Sequence, residues 1–223
     1  MFSGVPQGSV LGPVLFLIFI NDLDLNIHNL LFKFADDTKL CAKISTNEDI
    51  EKLQEDLNTL QEWVRDWQTQ FNVQQCKVMR VGSGIGSNAL SEYSMGNQKL
   101  KYCFEERDLR VIMCADLKVG SLCAEACKKA NRMLGIKRTF VVRSTEAMVN
   151  LYKTMVRPHL EYCVSAWSPH YIKDKLLLEQ VQHRFTRLLP GFRSLSYDER
   201  LHQLRLWTLE ERRNRADLID VLI

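Results

Sequence analysis

Two adjacent carboxylates, Asp36 and Asp37, stand between two short apolar runs, residues 30–35 and 38–44. Side by side at a turn, their charges repel unless something positive neutralises them. Water and a nearby lysine do this at a protein surface. In enzymes that move phosphoryl groups a magnesium ion does it, because hard oxygen ligands suit that cation. Aspartate also favours turns for its own reasons, so the pair by itself leaves both readings open. Upstream runs Ser3-Gly-Val-Pro-Gln-Gly-Ser-Val-Leu-Gly-Pro13. No Gly-Lys-Ser/Thr closes it and it is not a GxGxxG dinucleotide loop. Its glycines would let backbone approach a ligand closely and its prolines would stiffen the approach. The same composition also suits a loop that leads into a helix. Cys123 with Cys127, and His159 with Cys163, are pairs four residues apart. Either could give two zinc ligands, but nothing completes a four-ligand set at known spacing. Buried thiols are the default for such pairs.

These residues need a scaffold. Pro13 can open a helix at its first position, and the run Val14 to about Leu25 would be that helix. It is apolar nearly all round, which predicts a place deep in a core. Val14–Ile20 is only seven residues long, whereas a membrane span needs about twenty. The two apolar runs around the aspartates read as a β-hairpin with the carboxylates at its tip. Ile50, Leu53, Leu57, Leu60, Val64, Trp67 and Phe71 step by three and four, predicting a helix over 47–71. Ser45 with Glu48 fits a capping box at its start. Short strands are predicted at 76–81 and 108–114, with a small hairpin at 91–95 and 98–104 around Gly96-Asn97. After residue 118 the pattern is helical: about 119–139, a helix capped by Ser144 and ending before Pro158, then 173–189 and 208–222. Thr208 with Glu211 is a second capping box. The fold class expected is α+β: an antiparallel sheet with helices over 1–115, followed by an all-α region over 116–223.

The 223 residues suffice for one large domain or two small ones. Hydrophobic residues at 46% and charged residues at 26% fit an ordinary globular chain rather than a disordered one. The net charge of +3 hides an asymmetry. Residues 1–127 hold 12 Lys/Arg against 17 Asp/Glu, whereas 128–223 hold 18 against 10. A basic second part suits contact with a polyanion, although an unevenly charged soluble surface looks the same. The seven cysteines are odd in number and lack a CxxC pair, so a reducing, intracellular compartment, nuclear or cytoplasmic, is expected. No signal peptide or membrane segment is expected.

In order along the chain, Gly4-Val-Pro-Gln-Gly-Ser-Val-Leu-Gly-Pro13, Leu15-Phe-Leu-Ile-Phe-Ile-Asn-Asp-Leu23 and Phe34-Ala-Asp-Asp-Thr38 resemble the palm of non-LTR, LINE-type reverse transcriptases. Phe71-Asn-Val-Gln-Gln-Cys-Lys-Val-Met79 is similar to the next palm motif of that family, and Glu106-Arg-Asp-Leu-Arg-Val111 to the one leading to the thumb. His159-Leu-Glu-Tyr-Cys-Val-Ser-Ala-Trp-Ser-Pro169 and Gln180-Val-Gln-His-Arg-Phe185 resemble the helical region after it. The resemblance covers essentially the whole chain. It implies a partial palm over 1–115, a thumb and C-terminal region over 116–223, and RNA-directed DNA polymerase chemistry by two-metal nucleotidyl transfer. It makes Asp36 the catalytic magnesium ligand with Asp37 in support, and lays Gly4, Pro6, Gln7, Gly8 and Ser9 against nucleotide and template. The basic helices, through Lys128, Lys129, Arg132, Lys137 and Arg138, would grip the phosphates of an RNA template and DNA primer.

The same resemblance points to what the site lacks. In this family a further aspartate comes from a strand ahead of the Gly-Val-Pro-Gln-Gly loop, and the sequence starts at Met1. The isolated chain is therefore expected not to polymerise, unless an upstream reverse-transcriptase fragment completes it. Asp22 and Asp24 are the nearest substitutes, but they are expected to finish the first helix rather than reach metal. Gln75 stands at a usual lysine, and Arg110 and Arg205 at usual glycines. Leu134-Gly-Ile136 looks one residue short. A palm without its first strands would leave an uncovered apolar face. The alternative in a different class is a non-catalytic nucleic-acid-binding module built on the basic helices.

Overall fold

The computed structural model describes residues 8–82, 92–135 and 144–221. The chain forms two compact units, Met1–Val78 with Ile85–Cys103, and Met79–Gly84 with Phe104–Ile223. Helices and short strands mix, so the fold is α+β. Among the described residues the strands form four separate two-stranded pairs rather than one sheet, and one of the pairs is parallel.

The first unit starts with α1 (Leu11–Phe19), followed by the antiparallel hairpin β1 (Leu30–Phe34) and β2 (Asp37–Cys41). Next comes α2 (Asn47–Asp66), the longest helix among the described residues. Thr46 is its N-cap, accepting from the Asp49 amide, while the Asp49 carboxylate accepts from the Thr46 amide. The expected capping box is real but displaced one residue, because an Asp one position further on reaches back as well as a Glu can. The helix stops at Trp67, short of the expected Phe71, and Gln68 takes a left-handed φ of 52°. β3 (Lys77–Val78) pairs in parallel with β6 (Lys101–Tyr102). β4 (Ser94–Met95) and β5 (Gln98–Lys99) form the small hairpin around Gly96, whose φ of 57° needs no Cβ.

The core of this unit is small: Ile20, Leu23, Leu60 and Met95, backed by Phe16, Leu31, Leu40, Leu57 and Trp63. The expectation that α1 lies deep in a core is overturned, since none of its residues is buried. It touches α2 along one edge, where the Phe19 ring meets Trp63 and Trp67 edge-on at 5.3 Å each. Leu11, Val14, Leu15, Leu17 and Ile18 face solvent. A helix apolar on all sides needs cover on all sides, and the described part of this unit supplies it on one.

The second unit opens with the hairpin β7 (Glu105–Asp108) and β8 (Val111–Cys114) where a single strand was expected. Leu109 and Arg110 make its two-residue turn with φ of 44° and 69°. Among the described residues six α-helices follow: α3 (Gly120–Gly135), α4 (Thr145–Leu151), α5 (Pro158–Glu161), α6 (Ile172–Arg187), α7 (Tyr197–Leu204) and α8 (Leu209–Val221). Ser144 caps α4 and Thr208 with Glu211 boxes the start of α8. The chain does not break at Pro158 as expected. A π-helical turn, Tyr152–Val156, joins α4 to α5, and the Arg157 amide donates to Tyr152 O at 2.9 Å. The widened turn gives the proline ring room where an α-helical carbonyl would clash.

The core here is larger. Tyr152 stacks on Phe185 at 4.2 Å among Leu122, Ala130, Leu160, Leu178 and Leu209. A buried polar chain crosses it: the Tyr152 hydroxyl donates to Gln182 Oε1 at 2.8 Å, and Gln182 Nε2 donates to Trp207 O and the Tyr197 hydroxyl. Tyr197 in turn donates to Glu179. Both phenols are pushed well above their ordinary pKa, chiefly by burial, so both stay protonated donors. α7 closes in a left-handed Arg205, φ 50°, with Leu206 N donating to Leu201 O at 3.0 Å and Arg205 N to His202 O at 3.2 Å. That is a Schellman ending with arginine where glycine is usual.

Candidate active site

β1 and β2 pair from Leu30–Cys41 to Phe34–Asp37, so the turn residues are Ala35 and Asp36. Asp37 is thus the first ladder residue, sharing a face with Phe34 across the strand. Leu31 and Leu40 turn the opposite face onto the core. Both carboxylates are exposed, and neither makes a hydrogen bond or ion pair among the described residues. Ala35 takes a φ of 51°, which costs an L-residue about 1–2 kcal/mol. That strain sits beside the pair of residues with the strongest claim to chemistry.

Two latches fix the hairpin. The first is Asp56 on α2, fully buried. Its Oδ1 accepts from the His28 amide at 2.8 Å and meets His28 Nδ1 at 3.0 Å. Its Oδ2 accepts from the Asn29 amide at 3.0 Å and Asn29 Nδ2 at 2.8 Å. Burial pushes the Asp56 carboxyl up, but these donors together outweigh it and hold the pKa below the usual value. The second is Lys33 on β1, which donates to Ile20 O, Asn21 O and Asp24 Oδ1. It thus caps the carbonyl end of α1, and its bond holds the Asp24 carboxyl below its ordinary pKa.

Asp22 and Asp24 are committed to this scaffold. Asp22 Oδ1 accepts from the Trp63 indole at 3.0 Å, and Asp24 pairs with Lys33 at 2.7 Å. Among the described residues no group of three His, Cys, Asp or Glu side chains could hold a metal ion. The hairpin therefore offers two carboxylates, whose hard oxygens are of the type magnesium takes, and no third acidic side chain joins them among the described residues.

Of the loop residues singled out in the sequence, Gly4, Pro6 and Gln7 lie outside the described residues. Gly8 has a φ of 82°, and Ser9 Oγ accepts from the Gly12 amide at 3.1 Å, where it helps start α1. Lys137 and Arg138 also lie outside the described residues. Lys128, Lys129 and Arg132 share the outer side of α3, with Lys128 and Arg132 exposed and Lys129 reaching Glu125 at 3.7 Å. Arg184 on α6 donates to Asn131 Oδ1 at 3.0 Å, joining α6 to that side of α3. Cys123 and Cys127 are buried, and Cys127 Sγ donates to Leu177 O. Burial pushes their thiols up to about 12 and about 11.

A family model described as reverse transcriptase (RNA-dependent DNA polymerase) matches residues 1–137. The chain belongs to the reverse transcriptase family. Its similarity extends past that match. A protein named probable RNA-directed DNA polymerase from transposon BS, of Drosophila melanogaster, is 28% identical over 232 residues, covering 96% of this chain and 25% of that protein. The RNA-directed DNA polymerase from mobile element jockey of the same species is 28% identical, covering 82% of this chain and 22% of its own length. Its Drosophila funebris counterpart is 27% identical, covering 74% and 19%. The chain thus spans about a quarter or less of the length of these relatives. They agree with the non-LTR, LINE-type resemblance carried by the motifs. No solved structure matches the chain. Among the described residues, no helix is long and apolar enough to cross a membrane.

Asp56 and Lys33 went unnoticed in the sequence. Asp56 had a signal: it falls three after Leu53 and four before Leu60, an acid on the apolar stripe of α2. Lys33 had a weaker one, a lone cation inside an apolar strand.

Proposed function

We propose that this chain is the later part of a polymerase palm, residues 1–115, joined to a thumb and C-terminal region, 116–223. In this reading Asp36, supported by Asp37, binds the metal for DNA synthesis on an RNA template from a DNA primer. The observation that carries it is the unpartnered, solvent-facing carboxylate pair on a doubly latched hairpin, inside the segment matched by the reverse transcriptase family. Bound magnesium would activate the primer 3′-hydroxyl and steady the departing pyrophosphate. The chain's own residues do the positioning. Asp56 and Lys33 fix the hairpin, the strained Ala35 turns Asp36 outward, and Lys128, Lys129 and Arg132 present charge to phosphates. The Gly4–Ser9 loop would lie against the nucleotide and template, and Lys137 and Arg138 would extend the basic grip.

Two adjacent carboxylates supply few of the oxygens that a pair of magnesium ions takes, and no third acidic side chain joins them among the described residues, so in this reading the chain does not polymerise alone. A further carboxylate must come from another segment, such as an upstream reverse-transcriptase fragment. The test is primer extension on an RNA template with magnesium. The chain alone should give no product. Adding a fragment that carries the segment found ahead of the loop in relatives should restore product, and Asp36→Asn should abolish it. Extension by the chain alone would refute the need for a third carboxylate, and undiminished activity in Asp36→Asn would refute the metal assignment. The second reading, nucleic-acid binding without catalysis, is favoured by the basic balance of residues 128–223, and salt-dependent binding without extension in either mixture would support it.

A further inference from the structure

α1 carries one face that its unit uses and another that is bare. Val10, its N-cap, with Leu11, Val14, Leu15, Leu17 and Ile18, are 45–90% exposed. At about 100° per residue, these six side chains fall within a single arc of about 160°. Phe16, Phe19 and Ile20 fall on the opposite side, where they meet the small core and the Trp63 and Trp67 rings. The bare arc is wider than the stripe of about 100° that a packed helix ordinarily buries. Apolar side chains scattered singly over a surface are ordinary, but contiguous ones mark interaction sites. These six together expose about 700 Å², above the roughly 300–600 Å² of the largest apolar patch on a typical monomer.

The chemistry of the arc selects what covers it. Residues 1–20 contain no Asp, Glu, Lys, Arg or His, and the six side chains of the arc hold no hydrogen-bonding group. A charged partner would lose solvation against such a surface and gain no bond in return. A second copy of the chain brings the same uncharged arc, so no like charges meet when the two are laid together. The area agrees. A standard interface takes about 800 Å² per partner, with about 600 Å² at the low end, and homodimer interfaces are more apolar at their centre than other surfaces. Antiparallel pairing sets the positive start of each helix beside the negative end of the other. It also keeps the two Lys33 side chains, which cap the carbonyl ends of α1, at opposite ends of the pair.

We propose that α1 is the interface of a symmetric dimer, in which the arc from Val10 to Ile18 packs antiparallel against the same arc of a second copy. Val14 lies midway along that stretch and close to the middle of the arc, so the two-fold axis passes near it and Val14 meets Val14 of the second copy. The pairing uses neither the hairpin carboxylates nor the basic helices. It therefore stands or falls apart from the polymerase reading.

The experiment is sedimentation velocity of the full chain over a range of about 1 to 100 µM. Wild type should pass from monomer to a single dimer at roughly micromolar concentration, the weak end for an interface of this size. Val14→Glu and Val14→Lys should each stay monomeric up to about 100 µM, a loss of at least about 30-fold, because like charges meet at the axis. Mixed in equal amounts the two should dimerise again, since the meeting charges are then opposite. Only a partner carrying the same helix gives that rescue. Ile18→Asn, which adds no charge, should weaken the dimer as well. Val14 and Ile18 are exposed, so the circular dichroism of each variant should match that of wild type, which separates lost pairing from lost folding. A wild-type chain that stays monomeric at the top concentration overturns the dimer. A charge-swapped mixture that stays monomeric overturns the two-fold pairing, and so does growth into aggregates without closed stoichiometry. A wild-type monomer that instead binds phosphatidylcholine vesicles, or the upstream fragment of the primer-extension test, and loses that binding in Val14→Glu, overturns the second copy and gives the arc to a lipid surface or to that fragment.

Discussion

Replacing Arg205 by glycine should make the second unit more stable, and the structure sets the size of the gain. Arg205 holds the left-handed position of the Schellman ending of α7, φ 50°, with both backbone bonds of that motif formed. Its side chain is exposed and makes no hydrogen bond, ion pair or ring contact among the described residues. Glycine therefore loses no contact. It removes the penalty of about 1–2 kcal/mol that an L-residue bears there and adds about 0.5–1 kcal/mol of unfolded-chain entropy. The net gain is about 0.5–1 kcal/mol. Arg110, φ 69° and also exposed, should give a similar gain in the β7–β8 turn. Together the two should add roughly 1–2 kcal/mol if they act independently, a rise of about 2–4 °C in Tm per kcal/mol for a chain of this size. The assay is thermal melting by far-UV circular dichroism, with alanine at each site as control. Alanine keeps the backbone penalty and removes the same side chain. If glycine melts no higher than alanine, the left-handed strain is not there to be relieved and the reasoning fails.

Asp56→Asn should destabilise the first unit by roughly 2–4 kcal/mol, since amide donors lose a charged acceptor; urea melts at neutral pH measure it. Because the folded Asp56 pKa is depressed, its contribution is whole above the unfolded carboxylate value of about 3.9 and fades as pH falls through the folded one. Wild type should thus lose stability in that acid range more steeply than Asp56→Asn, and parallel pH profiles would remove Asp56 as a latch. Exposed Cys41 and Cys163 should react with a thiol reagent at pH 8 well before buried Cys123 and Cys127, as peptide mapping of the labelled native protein would show. Equal labelling would mean that the α3 face is not packed as described. Tyr152→Phe should cost about 1 kcal/mol by leaving Gln182 Oε1 without its donor, and an unchanged chemical melt would count against that buried chain.

What could be read from the sequence followed from local pattern. The apolar stepping of Ile50 to Val64 announced α2, and the paired runs around Asp36-Asp37 announced their hairpin. The same logic overran at Trp67 and Phe71, because apolar spacing does not reveal where the backbone turns left-handed, as it does at Gln68. α7 went unrecognised although Ser196 and Glu199 form a capping box, since eight residues give too short a period to stand out. α1 was expected to be buried because composition reports what a helix needs and not what its neighbours provide. Arg110 and Arg205 show a subtler limit. Their strain is invisible in the residues themselves and was hinted at only by glycines at those places in the resembling family. The latches are non-local: Asp56 meets partners 27 and 28 residues earlier in the chain, and no short window joins them.

The π-helical turn at Tyr152–Val156 stores one residue more than an α-helix of the same rise would hold. Each residue in an α-helix turns the chain by about 100°, so the surplus sets the azimuth of everything after it. Buried Leu160 and the Leu160 carbonyl that takes Arg213 at 2.6 Å both depend on that phase. Tightening the turn to an α-helical one with every residue kept would rotate the apolar stripe beyond it by about 100°, off the core. Pro158 would then face the carbonyl that the wide turn keeps out of its way. The bulge is in effect a phase adjuster, and the second half of the chain is indexed to it.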